Sequence, residues 1–347
     1  MSDMRFLCVG VGAIGTYVGG SLAASGERVV FLAHPASAAV IRKLGMRIRH
    51  GTLTTVVENP IIVETLSEAM GHGPFDLALL AMKAYDVGAF LEQLAPLAPT
   101  FPPVLCLQNG VEAEEAVGEV LGDERVLAGS ITSAIGRDAP GDITIEKLRG
   151  MGIAGGALAQ DVLPILSRAG LRPQFFGSAA SMKWSKLLTN LLANATSAIL
   201  GMTPREIYAN PALFRVEVAQ IRETLRVMHR LGARTVSLPG APAGLLAFLM
   251  GRLPPALSRP LIASSVGRGR GAKPPSLAID LRNGSSKSEV EFLNGAVVRE
   301  GEHLGLPTPV NRFLWHTLSA MVRGEVPQDT YLRKPKKFLD DLHSGQN

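Results

Sequence analysis

The first thirty residues alternate between apolar runs and a segment of small residues. RFLCV leads into Gly10, Gly12 and Gly15, a small-residue stretch ends near Gly26, and a second apolar run, VVFL, follows. That order predicts strand, helix, strand. VIRKLGMRIR predicts a short helix and then a strand, and TLTTVVENPIIV adds further β-structure. FDLALLAMK and PPVLCLQNG are continuous apolar runs of strand length, as expected of strands buried on both faces of a parallel sheet. GSITSAIGRDAPGDITI reads as β-rich with a turn at APGD, and GMGIAGGAL is a short apolar stretch before a helix over residues 159–169.

From Ser181 onward the apolar spacing becomes helical, through MKWSKLLTNLLANATSAIL, FRVEVAQIRETLRVMHRLG, KSEVEFLNGAVVREGEHLG and VNRFLWHTLSAMVRG. Residues 238–275 interrupt this with Pro and Gly and predict short helices plus a mobile basic loop. The expected organisation is an α/β domain over 1–175, an all-helical domain over 176–326 and a loosely packed polar tail over 327–347.

Composition narrows the chemistry. A chain of 347 residues suits two domains. The two cysteines, Cys8 and Cys106, sit inside apolar strand-like runs without metal-ligand spacing, which favours a reducing compartment, the cytoplasm. No targeting segment is read ahead of the first strand. AGLLAFLMGRLPPAL is broken by Arg252 and a Pro pair, short of the roughly 20 apolar residues a bilayer span needs. Net charge is +5, with positive residues scattered apart from RGRGAK (Arg268, Arg270, Lys273) and RKPKK (Arg333 to Lys337). Few aromatics accompany them, so nucleic acid is not an expected partner, and the charge suits a small anionic substrate and cofactor.

The glycine pattern fits a dinucleotide site. In such a βαβ unit the first glycine makes a tight turn, the second lets the backbone approach a pyrophosphate, and the third allows close helix–strand packing. Gly10, Val11, Gly12, Ala13, Ile14 and Gly15 are therefore candidate cofactor residues. An NAD site usually carries an acid about 20 residues further on. Here the second strand ends Phe31-Leu32-Ala33-His34-Pro35, with no acid, which favours NADP, with His34 and less directly Arg42 or Lys43 facing a 2′-phosphate.

Ligands of open parallel sheets bind beyond the carboxyl ends of the strands. Two polar elements fall there, Lys83 after LALLAM and Gln108-Asn109-Gly110 after PPVLCL. KLLTNLLAN, read as one helix, aligns Lys186, Asn190 and Asn194 as a polar stripe on an otherwise apolar cylinder. A carbonyl that accepts hydride becomes an alkoxide, and a desolvated Lys can supply its proton. Lys186 is the candidate acid, and Glu289, opening SEVEFLNG, is its candidate partner or a ligand for a substrate hydroxyl. No HExxH, GxSxG or Cys–His pairing is present, so metal chemistry and nucleophilic hydrolysis are not expected.

These pieces together resemble the ketopantoate reductase (2-dehydropantoate 2-reductase) family across nearly the whole chain, through GVGAIG, the Lys83 strand end, LQNGV, KWSKLLTNLLAN, and PSLAIDL followed by SEVEFLNGAV. The resemblance implies a Rossmann-type domain and a helical domain like the C-terminal domain of 6-phosphogluconate dehydrogenase. It also implies NADPH-dependent reduction of 2-dehydropantoate, feeding pantothenate and coenzyme A synthesis, and a homodimer. By motif, Lys186 is the acid; Asn109, Asn190, Asn194, Ser276 and Glu289 hold the substrate; and Lys83 lies beside nicotinamide and substrate. The chain departs from the family in having His34 where Arg is usual, Ala195 where Pro is common, and a longer spacing from Ser276 to Glu289. A related 3-hydroxyacid dehydrogenase, using the same Lys186, and a non-catalytic NADP sensor remain open alternatives.

Overall fold

The computed structural model describes residues 4–269 and 274–345. Arg270 and Lys273 of the expected basic loop lie outside them. The chain divides into two compact units, one running to Lys183 and taking in Leu238–Ala241, the other made of Trp184–Ser237 and the chain from Pro242 on.

The first unit contains strands β1 (Arg5–Val9), β2 (Arg28–Leu32), β3 (Met46–His50), β4 (Leu53–Val57), β5 (Ile61–Val63), β6 (Leu77–Leu80), β7 (Val104–Cys106), β8 (Val126–Ile131), β9 (Ala134–Ala139), β10 (Asp142–Lys147), β11 (Met151–Ala154) and β12 (Pro173–Phe176). Its helices are α1 (Ala13–Ala24), α2 (Pro35–Leu44), α3 (Leu66–Gly71), α4 (Val87–Leu94), α5 (Ala113–Leu121) and α6 (Ala157–Arg168). Eight strands make one sheet in the order β12-β11-β8-β7-β6-β1-β2-β5, parallel except where β11 runs against β8. The order reverses at β1, between β6 and β2, which is the switch point of a doubly wound sheet.

Both faces of that sheet are covered, which explains its unbroken apolar strands. On one face Phe6, Cys8, Phe31 and Leu79 pack with Tyr17, Val18 and Leu22 of α1 and with Ile48, Ile143 and Ile145. The last three belong to a second sheet, β4-β3-β10-β9, so α1 lies between two sheets and is buried nearly all round. On the other face Leu7, Val9, Val30 and Leu80 meet Phe90, Leu91 and Val117 of α4 and α5.

The second unit is helical. The boundary falls inside α7 (Ala179–Leu191), eight residues later than the expected 175. α8 (Asn194–Leu200), α9 (Pro204–Ala209), α10 (Pro211–Arg230), α11 (Ala243–Arg252), α12 (Pro255–Gly269), α13 (Ser276–Arg282), a 3₁₀ turn (Glu289–Phe292), α14 (Asn294–His303), α15 (Pro309–Val322) and α16 (Pro335–Ser344) follow. The insertion thus forms two helices, and the isolated bridge between Leu238 and Ala241 packs with Ala128, Ala154 and Met182 of the first unit's core.

The expected loose tail is a correction. Its charges conceal Phe338 and Leu342, an i, i+4 apolar pair that α16 buries completely or nearly so, at 0% and 2% exposure. Phe338 packs edge-on against Phe313 at 5.4 Å and Tyr331 at 6.1 Å between ring centroids, and Arg333 N–H donates to the Leu200 carbonyl at 2.8 Å. Among the described residues no helix is long and apolar enough to cross a membrane.

Candidate active site

At the carboxyl edge of the first unit's main sheet, backbone bonds hold neighbouring strand ends in register. Gly10 N–H donates to Leu32 O, Ala81 N–H to Val9 O, and Leu107 N–H to Leu80 O, at 2.9, 2.9 and 3.0 Å. This row carries Gly10 to Gly15, His34, Lys83 and Asn109, so the structure brings all the cofactor candidates to one edge.

The three glycines differ in what they permit. Gly10 has φ +97°, a left-handed conformation. A Cβ on Gly15 would lie 1.8 Å from the Gly10 carbonyl oxygen, so only glycine lets α1 start this close to β1. A Cβ on Gly12 would meet nothing within 4 Å, and no side chain caps the α1 N-terminus there. An open cradle of backbone N–H groups at a helix N-terminus is what a pyrophosphate fits. These residues therefore suit a dinucleotide.

His34 caps α2, its Nδ1 accepting the Ala36 N–H at 3.3 Å. With Nδ1 used as acceptor, a neutral imidazole carries its proton on Nε2, and that donor stands at the exposed end of β2. Arg42 is committed elsewhere, to the Glu64 carboxylate and, at 3.1 Å, to the Ile62 carbonyl, so it holds α2 against β5.

Lys83 and Asn109 are both exposed. Gln108, the first residue of the strand-end Gln108-Asn109-Gly110 element, is by contrast 4% exposed, and its Nε2 donates to Leu80 O at 3.0 Å and to Met82 O at 3.4 Å. Lys183 went unrecognised. Its ammonium, on a residue 4% exposed, reaches Gln108 O at 2.8 Å, Gly129 O at 3.4 Å and Glu114 Oε1 at 2.7 Å. Its signal was present in the sequence, because Lys183 continues the Lys186–Asn190 stripe one turn towards the N-terminus.

In the helical unit the stripe takes a different form from the one expected. α7 ends at Leu191 and α8 starts at Asn194, with Ala193 left-handed at φ +48°. Lys186 and Asn190 share α7, whereas Asn194 opens α8. The amide still returns to the stripe. Asn194 Nδ2 donates to Asn190 O at 3.0 Å and to Ser276 Oγ at 3.4 Å, and its Oδ1 accepts the Leu277 N–H at 3.2 Å. Asn190, Asn194 and Ser276 are thus one cluster, with Asn194 bonding at the start of α13.

The break is held by Glu217, another residue missed in the sequence. Fully buried on α10, it accepts from Ala193 N–H at 2.7 Å, Thr196 Oγ1 at 2.6 Å and Gln220 Nε2 at 2.8 Å. Glu289 is buried, at 4% exposure, and opens a 3₁₀ turn capped by Ser288 rather than the longer helix its run suggested. The cavities of about 480 and 730 Å³ beside α10 are both lined by Leu225 and His229 and include none of these groups.

Comparison with known proteins accords with the residues. The pattern of the family described as ketopantoate reductase PanE/ApbA matches residues 6–155, and that of its C-terminal domain matches 179–322. The chain is 27% identical over 330 residues to the 2-dehydropantoate 2-reductase of Archaeoglobus fulgidus, covering 93% of this chain and 98% of that one. It is 26% identical over 326 residues to that of Pyrococcus horikoshii, covering 91% and 97%. In fold it is similar to a ketopantoate reductase from Ralstonia eutropha JMP134, with TM-score 0.77, 23% identity, and 92% and 99% of the two chains covered. It is also similar to D-mandelate dehydrogenase solved with NADH and anilino(oxo)acetate, with TM-score 0.76, 22% identity, and the same coverage.

Proposed function

Because the chain belongs to the ketopantoate reductase PanE/ApbA family, and is thus an oxidoreductase acting on CH–OH groups, we propose that it reduces 2-dehydropantoate to (R)-pantoate with NADPH, in the cytoplasm, on the route to pantothenate and coenzyme A. The observation that carries this is the Asn190–Asn194–Ser276 cluster beginning one helical turn beyond Lys186.

Gly10 to Gly15 would hold the pyrophosphate at the α1 N-terminus, and His34 would face the 2′-phosphate. Lys83 and Asn109 would stand towards the nicotinamide end. When bound, the cofactor supplies the hydride that adds to the keto carbon. The Asn190 amide and the Ser276 hydroxyl would anchor the substrate's carboxylate and hydroxyl groups, with Asn194 either exchanging one of its present bonds for the substrate or holding Ser276 in place, and Glu289 accepting from a substrate hydroxyl. Lys186 then delivers its proton to the carbonyl oxygen as negative charge develops there, general acid catalysis worth about 10²–10⁴ in rate. The resemblance also suggests a homodimer, which light scattering checks.

A second reading, reduction of a different small 2-oxo acid, is favoured by Ala195 beside the substrate amides and by the likeness in fold to a dehydrogenase of mandelate. Oxidation of NADPH and of NADH is therefore followed with ketopantoate and a panel of aliphatic and aromatic 2-oxo acids. Highest kcat/KM for ketopantoate with NADPH is the expected result. A clear preference for another acid replaces the substrate assignment, and cofactor binding without turnover of any acid makes the protein a sensor.

A further inference from the structure

We infer that Lys183 is a positioning residue for cofactor binding: its buried ammonium holds in place the two strand ends that carry Asn109 and Lys83. This rests on the assignment of those two residues to the cofactor, made above.

The contacts form a chain. The Lys183 ammonium donates to the carbonyl of Gln108, which belongs to the peptide that joins Gln108 to Asn109, at 2.8 Å. That bond sets the plane of the peptide from which Asn109 departs, immediately before Gly110 at φ +95°. The side chain of the same Gln108 crosses to the next strand end, its amide donating to Leu80 O and Met82 O, the latter adjacent to Lys83. Gly129 O on β8, at 3.4 Å, and Glu114 in the first turn of α5, at 2.7 Å, complete the ammonium's surroundings. One cation thus ties together the end of β7, a point on β8 and the start of α5, and through the Gln108 side chain it reaches the end of β6.

A purely structural role is the competing account. Buried ion pairs can often be replaced by apolar pairs without loss of stability, whereas removing one partner alone leaves a costly unpaired charge. If Lys183 and Glu114 served only as a pair, the chain would tolerate two apolar residues in their place. The bond to the Gln108 carbonyl is different, because no apolar side chain can orient that peptide.

That difference separates the accounts. NADPH Kd by cofactor fluorescence, KM, kcat and melting temperature are measured for the full-length protein, Lys183→Met, and the double variant Lys183→Met/Glu114→Leu. The expected result for Lys183→Met is a lower melting temperature and an NADPH Kd and KM raised at least about tenfold, with kcat changed less than about threefold, since Lys186 is untouched. In the double variant the melting temperature recovers while Kd and KM stay raised. Recovery of Kd together with stability, or an unchanged Kd in folded Lys183→Met, overturns the inference. If Lys183→Met does not fold, the double variant carries the same measurement. A wild-type protein that binds no dinucleotide overturns the cofactor assignment and this inference with it, whereas a wild type that binds and turns over beside variants that bind equally well overturns this inference alone.

Discussion

Alanine at Gly12 and alanine at Gly15 differ by one methyl each from the native chain and lead to opposite expectations. At Gly12 the backbone is extended, φ −78° and ψ −163°, and the added Cβ meets nothing within 4 Å. Alanine is a poorer helix cap than glycine, so stability falls by about 1 kcal/mol. In the proposed site the methyl nevertheless occupies the space through which a pyrophosphate would reach the α1 N–H groups. Each hydrogen bond to a charged group lost there is worth about 1.5–3 kcal/mol. NADPH Kd then rises about 10- to 150-fold, at about 1.4 kcal/mol per tenfold. At Gly15 the Cβ has no space, lying 1.8 Å from the Gly10 carbonyl oxygen, so the helix must move and the fold loses about 3 kcal/mol or more. Urea unfolding and fluorescence titration with NADPH read both effects. A stable Gly12→Ala protein that binds NADPH as tightly as wild type would show that the pyrophosphate does not lie over this turn.

Two further outcomes follow from buried groups. Glu217→Ala leaves buried donors at Ala193, Thr196 and Gln220 without their acceptor, at about 1–3 kcal/mol per unsatisfied group. Partial collapse and water entry bring the expected loss to about 3–5 kcal/mol by denaturant unfolding, with substrate KM raised because Asn194 loses its placement; a loss below about 1 kcal/mol would mean that Glu217 does not hold the break. Burial pushes the Cys8 thiol up to about 12 and the Cys106 thiol well above its ordinary value, with Glu114 adding to the latter. Raised thiol values mean that the folded state keeps its protons longer than the unfolded chain, so stability declines as pH rises above the unfolded thiol range. At pH 8 a thiol-reactive dye should find no accessible thiol in the native protein and both cysteines after unfolding; rapid native labelling of either contradicts the burial.

The Rossmann half was legible because its signals are local. Glycine spacing, two-faced apolar strands and polar residues at strand ends each follow from the backbone geometry of a single βα turn. The second sheet was only partly legible, since nothing in β3, β4, β9 and β10 says which strands pair, and the pairing is set by burial against α1. The break at Ala193 left no mark in LLANAT, where no Gly or Pro stands, because it is imposed from outside by Glu217 on α10. Lys83, Lys186, Asn190 and Asn194 stand out by pattern, and Lys183 lies on the same stripe, but the partners of Lys183, Gln108 and Glu217 lie mostly 21 to 75 residues away in sequence, and periodicity does not register which partners they are. The tail was misread because charge outnumbers the two apolar residues that decide its packing.

The proposed reduction depends on the Lys186 ammonium delivering the proton to the substrate carbonyl. Single-turnover and steady-state rates of Lys186→Ala with ketopantoate and NADPH, alongside NADPH Kd, test it most directly. A fall in kcat of at least about a hundredfold with Kd nearly unchanged is the predicted result. An unchanged kcat would remove Lys186 from the reaction and contradict the account.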